Sequence, residues 1–213
     1  MDVILIPGFW LDASSWDDVP IPGHRLHPVT RSGDTLQEQV DDIAARVDAF
    51  PGKVVLVGHS GGGAIAHAVA DARSGRIARV VYVDSWPAGD GGCINDELPV
   101  VGDVIPLPDW NVFDDADLVD LTPVLRADFR ARALPEPRRV ASDPMRLHDE
   151  RRYEVPVTII ACEFTEEQAK GWGLTELARV SDVTWIELPT GHWPQFTKPV
   201  ELGRAISAAI GSD

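Results

Sequence analysis

The residues with the plainest chemical meaning are Gly58-His59-Ser60-Gly61-Gly62, which follow an apolar run at 53–57 and precede a small-residue amphipathic stretch at 63–70. A serine set between a buried strand and a helix forms an elbow that pushes its hydroxyl out at the top of a sheet. Glycines at 58 and 62 let strand and helix approach without Cβ clashes. The helix starting just after Ser60 turns its amides and the positive end of its dipole toward the hydroxyl, a setting that favours an oxyanion. Ser60 is therefore the candidate nucleophile. A serine hydroxyl needs a base to take its proton, and of the six histidines His192 is the one placed for it, in a Gly-His turn after the last apolar strand. His59 reads as the variable residue of the elbow, His67 lies on a helix, and His24, His27 and His148 read as surface or structural. No pair of histidines has metal-ligand spacing with a third ligand nearby, so no metal is expected. No Gly-Lys-Ser/Thr follows the glycines, which argues against a phosphate-binding loop.

These residues need a sheet edge to meet on. Residues 1–7 form a continuous apolar strand, as expected when both faces of a parallel sheet are covered, and the strand ends at Pro7-Gly8-Phe9-Trp10. A glycine-containing loop at that edge aims a backbone N–H at a neighbouring site, and Phe9 is the candidate first oxyanion donor. Ser14 or Ser15 is expected to cap a helical turn through 16–19, and 24–30 reads as a short strand. Thr35 and Glu38 form a capping box for a helix whose apolar stripe is Leu36, Val40, Ile43, Val47 and Phe50. Further strands are expected at 77–83, 155–162 and 183–188, with helices at 166–180, broken by glycines, and at the carboxyl end. Six strands alternating with helices imply an α/β fold with a doubly wound, mostly parallel sheet.

Between about 86 and 152 the alternation breaks into a stretch rich in Pro, Gly, Asp and Trp with one helical pattern, 117–129. It reads as a lid inserted over the sheet's carboxyl edge, with the acidic run 109–120 a solvated face. The whole chain of 213 residues, 44% hydrophobic, is read as one domain with this insertion. A net charge of −15 argues against nucleic acid or an anionic membrane as partner. With no basic leader or long apolar segment, and only Cys93 and Cys162, the expected location is the cytoplasm.

Taken together, the chain resembles the α/β-hydrolase fold superfamily, through Gly58-His59-Ser60-Gly61-Gly62, the early Pro7-Gly8-Phe9-Trp10 where relatives often have His-Gly, and the late Gly191-His192. Within it the chain looks most like small bacterial proteins similar to the methylesterase and hydroxynitrile lyase branch. That resemblance implies Ser60 as nucleophile, His192 as base, and the N–H groups of Phe9 and Gly61 as the oxyanion hole. Relatives with lyase activity place a lysine just after the histidine, where this chain has Trp193. The acid departs from the family pattern: many relatives carry an aspartate where this chain has Thr165, which cannot hold the charge an imidazolium needs. Asp84, at the end of the strand after the elbow helix, and Glu163, at the end of the next strand, are the candidate replacements, with Glu166 or no acid as further alternatives. Neighbouring strands lie about 5 Å apart, so either end reaches the same imidazole.

The chain has seven tryptophans, of which Trp10 and Trp86 fall on loops near the expected site and are candidates to line an apolar pocket. The expected activity is hydrolysis of a small or medium uncharged ester, thioester or lactone, a small-molecule substrate, through an acyl-enzyme and without a cofactor. The alternative is a ligand-binding or interaction protein that keeps the fold without efficient catalysis, and Thr165 is its best support.

Overall fold

The computed structural model describes residues 1–211. In chain order its elements are β1 (Asp2–Ile6), β2 (Arg25–Pro28), α1 (Leu36–Asp48), β3 (Val54–His59), α2 (Gly61–Ala72) and β4 (Ile77–Val83). They continue with β5 (Val104–Ile105), α3 (Pro123–Arg132), β6 (Glu136–Pro137), α4 (Arg138–Ser142), β7 (Val157–Ala161), α5 (Glu166–Gly171), β8 (Val183–Glu187), α6 (Pro194–Thr197) and α7 (Pro199–Ile210). Six strands make one parallel sheet in the order β2-β1-β3-β4-β7-β8. Strands β5 and β6 pair separately as an antiparallel ribbon.

Period-two alternation sorts the apolar strands between two layers. Ile4, Ile6, Leu56 and Tyr82 face one way, against Leu36, Val40, Ile43 and Val47 of α1 and Ile65 and Val69 of α2. Val3, Leu5, Val57 and Val83 face the other, against Trp16, Val19, and Leu202 and Ile206 of α7. Helix α1 opens with the expected capping box, the Thr35 side chain accepting from Glu38 N and the Glu38 carboxylate from the Thr35 N–H. A third apolar cluster stands over the carboxyl edge, where Ile105, Leu107, Leu121 and Phe129 meet Phe9, Trp10 and Trp193.

Several local expectations change. The turn after β1 is a short 3-10 helix, Ala13–Trp16, capped by Asp12 rather than by Ser14 or Ser15; a carboxylate is already acceptor-only and needs no rotor to reach the Ser14 N–H. The helix expected over 117–129 begins instead at Pro123. Asp120 sits at φ 62 and breaks the run, while Thr122 accepts from Leu125 N and Pro123 supplies a first-turn residue with no N–H to satisfy. The stretch 166–180 divides into α5 and a 3-10 turn, Leu177–Arg179, separated by Gly173 at φ 67.

The site's location follows from topology. The chain leaves β1 toward β2 on one side and leaves β3 toward β4 on the other, so the crevice above β1 and β3 is the switch point where open α/β sheets bind ligands.

Candidate active site

Strand register brings the first two polar groups level. His59 of β3 pairs with Val83 of β4, so the next residue on each strand, Ser60 and Asp84, leaves the sheet at the same height. Both turn sharply there. Ser60 has φ 51 and Asp84 φ 46, left-handed values that cost a non-glycine residue about 1–3 kcal/mol and that surrounding structure must enforce. For Ser60 the enforcement is visible in Gly62, where an added Cβ would lie 2.6 Å from the carbonyl oxygens of both Ile6 and Pro7. The Ser60 carbonyl in turn accepts from Gly63 N at 2.8 Å and from Ser85 Oγ at 2.9 Å.

His192 comes from the loop after β8. Its backbone N–H donates to the Asp117 carbonyl at 2.9 Å, and the Gly191 N–H to the Val119 carbonyl at 3.1 Å, which fixes the loop against the segment between β4 and β7. The imidazole Nε2 stands 2.8 Å from Ser60 Oγ and Nδ1 stands 2.6 Å from Asp84 Oδ2. Asp84 is fully buried at its side chain, and its other oxygen accepts from Cys162 N at 2.9 Å and Glu163 N at 3.3 Å. Glu163 Oε1 lies farther from Nδ1, at 3.4 Å. Serine, imidazole and aspartate thus form one continuous hydrogen-bonded line, with Glu163 beside it. Thr165 is spent elsewhere: it caps α5, accepting from Gln168 N, while the Gln168 side chain accepts from the Thr165 N–H.

The electrostatics of the cluster are unusual. Burial alone would lower the His192 pKa, but the hydrogen bonds and charges of Asp84 and Glu163 outweigh it and the net shift is upward. Asp117 is pushed up to about 6, by burial first and then by its hydrogen bond and charge repulsion with Glu163. One Oδ or Oε of Asp84 and Glu163 and one nitrogen of His192 lie within 4.8 Å of one another, a donor set of the kind that holds a cation. Hydrogen bonding inside the cluster already uses both imidazole nitrogens.

Sequence reasoning assigned His59 no role. Its ring is completely buried, and Nε2 donates to the His192 carbonyl at 2.6 Å. Burial, then the neighbouring His192 charge, lowers its pKa to about 3, so the ring is neutral and carries its proton on Nε2. It steadies the backbone of the very residue whose side chain meets Ser60. The signal was in the strand: as the last residue of β3, His59 points opposite to Gly58 and into the fold.

A cavity of about 440 Å³ opens onto the serine, within the range of small-molecule sites. Phe9, Trp10, Trp86, Ile94, Leu98 and Phe113 give it apolar walls, and Gly61, Asp117, Glu163 and His192 also border it. Trp86 packs edge-on against Phe164 and tilted against Trp172. Trp10 adopts φ 63 and is anchored by its indole N–H on the Ile105 carbonyl, 3.1 Å away. Trp193 is instead sealed into the third apolar cluster, in edge contact with Trp110, Phe113 and Phe129. Among the described residues no helix is long and apolar enough to cross a membrane.

No protein of curated function matches the sequence significantly. Solved structures do match over the full chain. An extracellular α/β-hydrolase from a Paenibacillus species, described as sharing structural and functional homology with tobacco salicylic acid binding protein 2, superposes with a TM-score of 0.80 at 22% identity over 100% of both chains. Polyneuridine aldehyde esterase gives 0.74 at 18% identity over 99% of each chain. A methylesterase from Arabidopsis gives 0.72 at 17% identity over 99% of this chain and 98% of its own. At such identities the likeness is one of fold. A family model, by contrast, matches the sequence itself over residues 3–205, and on that match the chain belongs to the alpha/beta hydrolase family.

Proposed function

We propose that this hydrolase-family chain is a serine esterase acting on a small or medium uncharged ester, thioester or lactone. The observation that carries the reading is the unbroken line from Ser60 Oγ through the His192 ring to Asp84, with contacts of 2.8 and 2.6 Å. In this reading Ser60 attacks the carbonyl carbon while His192 Nε2 takes its proton. The tetrahedral oxyanion is held by the N–H groups of Phe9 and Gly61, the second at the start of α2 where the helix dipole favours negative charge. His192 then returns the proton to the leaving alcohol or thiol, and water repeats the cycle on the acyl-enzyme. Asp84 keeps the imidazole in the tautomer with its proton on Nδ1 and stabilises the imidazolium. No cofactor is required.

The substrate class is read from the cavity's walls, which are mainly apolar with Ser85 and Asn95 among them, and from Asp117 and Glu163, which would repel an acid. The segment between β4 and β7, most of it the insertion expected over 86–152, serves as the lid. It supplies Ile94, Leu98 and Phe113 to the cavity. Both thiols, Cys93 and Cys162, are unpaired, which suits the cytoplasm. The alternative of a non-catalytic binding protein loses its main support once Thr165 is seen as a helix cap and a carboxylate reaches Nδ1 from β4.

A p-nitrophenyl ester series of increasing acyl length, with a fluorophosphonate probe alongside, tests the reading. The unaltered chain is expected to hydrolyse the shorter esters and label covalently, and Ser60→Ala to lose labelling and at least about a thousandfold in rate. An unaltered chain that neither hydrolyses nor labels would leave the binding-protein alternative standing.

A further inference from the structure

A second buried ion pair lies close behind the site. Arg31, in the loop between β2 and α1, pairs with Glu136 of β6, and their side chains are 4% and 5% exposed. The guanidinium Nη1 donates to Glu136 Oε1 at 2.6 Å and to Gln39 Oε1 at 2.7 Å. Nη2 donates to Glu136 Oε2 at 2.6 Å and to the carbonyl of Gly8 at 2.9 Å. A buried pair is weak evidence of a stability role, since desolvation offsets most of its attraction. What it holds in place is more telling, and here that is the loop leaving β1.

Gly8 packs directly against the site: an added Cβ would lie 2.7 Å from His59 Nδ1 and 3.1 Å from Ser60 Cβ. In a trans peptide the carbonyl of one residue and the N–H of the next point in opposite directions, and among the described residues no peptide is cis. Drawing the Gly8 carbonyl outward to Arg31 therefore turns the Phe9 N–H toward the cavity that Phe9 and Ser60 both border. Without the anchor, a glycine can rotate this peptide and present an oxygen instead of a hydrogen. The same loop is tied to the covering segment at two further points, through Trp10 Nε1 on the Ile105 carbonyl at 3.1 Å and through the Leu134 N–H on the Trp10 carbonyl at 3.0 Å.

We infer that Arg31 is a positioning residue for the oxyanion hole, locking the peptide between Gly8 and Phe9 with its N–H inward. Through Glu136 the lock depends on the β5–β6 ribbon being seated on the loop. This rests on the serine esterase reading and adds to it a coupling between the covering segment and transition-state stabilisation, without contact between Arg31 and substrate.

The test compares the double variant Arg31→Met/Glu136→Leu with the unaltered chain. Replacing both charges by apolar groups of similar volume avoids an unpaired buried ion, so the fold is expected to persist. Expected is a fall in kcat of about 10- to 100-fold with KM nearly unchanged. Affinity for a trifluoromethyl ketone, whose adduct on Ser60 carries an oxyanion, should fall by the same factor. Affinity for an unreactive alcohol of the same shape should hold, which a general loosening of the site would not permit. Arg31→Lys keeps a charge and one bond but not the fork, and is expected to fall between; it carries the test if the double variant does not fold. Arg73→Ala, which removes an exposed ion pair with Asp48, is the control expected to match the unaltered chain. Full kcat in the Arg31 variants, or a kcat loss with trifluoromethyl ketone affinity intact, overturns the inference and leaves the esterase reading standing. An unaltered chain without hydrolysis or labelling of Ser60 overturns both.

Discussion

Two carboxylates reach the His192 Nδ1, and their distances separate their parts in the proposed chemistry. Asp84, at 2.6 Å, fully buried and held by two backbone N–H groups, is placed to fix the tautomer. Glu163, at 3.4 Å, acts mainly as a charge. Asp84→Asn is accordingly expected to lower kcat by about 10⁴, with the fold retained on circular dichroism; near-normal turnover would remove Asp84 from the mechanism. Glu163→Gln is expected to do something different. Both carboxylates raise the His192 pKa, and the base must be neutral to accept the Ser60 proton. Removing one negative charge makes the imidazolium easier to deprotonate, so the acid limb of kcat/KM against pH should move to lower pH. An acid limb that stays in place would show that Glu163 is electrostatically silent. At this scale the sequence exposed Ser60 and His192 through short motifs, whereas Asp84 and Glu163 remained alternatives because the choice between them is a matter of under 1 Å.

At the scale of elements, the elbow joining β3 to α2 does the positioning, and its tolerance is set by backbone rather than side chains. A Cβ at position 62 would meet two carbonyl oxygens of the β1 end at 2.6 Å, while one at Gly52 would meet nothing within 4 Å. Gly62→Ala should therefore cost about 1–3 kcal/mol as the helix is forced off the sheet, a fall in Tm of roughly 2–4 °C per kcal/mol for a chain of this size. Gly52→Ala is expected to stay within about 0.5 kcal/mol. Equal melting temperatures for the two would sink the packing account of the elbow. The central helices and strands were legible from periodicity and capping chemistry, Thr35 with Glu38 being the clearest case. Element ends were less so. Pro123 starts α3 six residues later than the pattern over 117–129 suggested, because half-buried Leu118 and buried Leu121 pack through tertiary contacts of an irregular segment and merely imitate a helical stripe.

Across the whole molecule, layers are joined by buried polar networks as well as by apolar contact. Arg152 pairs with Asp71 of α2 at 3.1 Å and with Glu176 at 3.4 Å, and Glu176 also accepts from Tyr153 Oη at 2.8 Å and lies 3.7 Å from His67 Nε2. The contact with His67, followed by those with Tyr153 and Arg152, outweighs burial and holds the Glu176 carboxyl down to about 2. A folded-state pKa below the unfolded value of about 4.3 means stability that is present above that pH and lost as pH falls toward 2. Glu176→Gln should thus melt lower at neutral pH and show a flatter dependence of Tm on pH between about 4.5 and 2. Parallel profiles for the two proteins would rule Glu176 out as a source of acid sensitivity.

By itself the sequence determined the class of fold, the elbow with its serine, and the loop that bears His192. Each of those is written in local chemistry: apolar runs long enough for buried strands, glycines at a tight turn, a histidine just past a strand end. Only the tertiary structure decided which carboxylate meets the imidazole, because Asp84 and His192 are 108 residues apart and their meeting depends on the register of β3, β4 and β7. It alone also revealed His59 beneath the loop that bears His192 and Arg31 behind the loop that leaves β1. Neither residue stands in a motif that distinguishes it, since what each does follows from the carbonyl it touches across the fold.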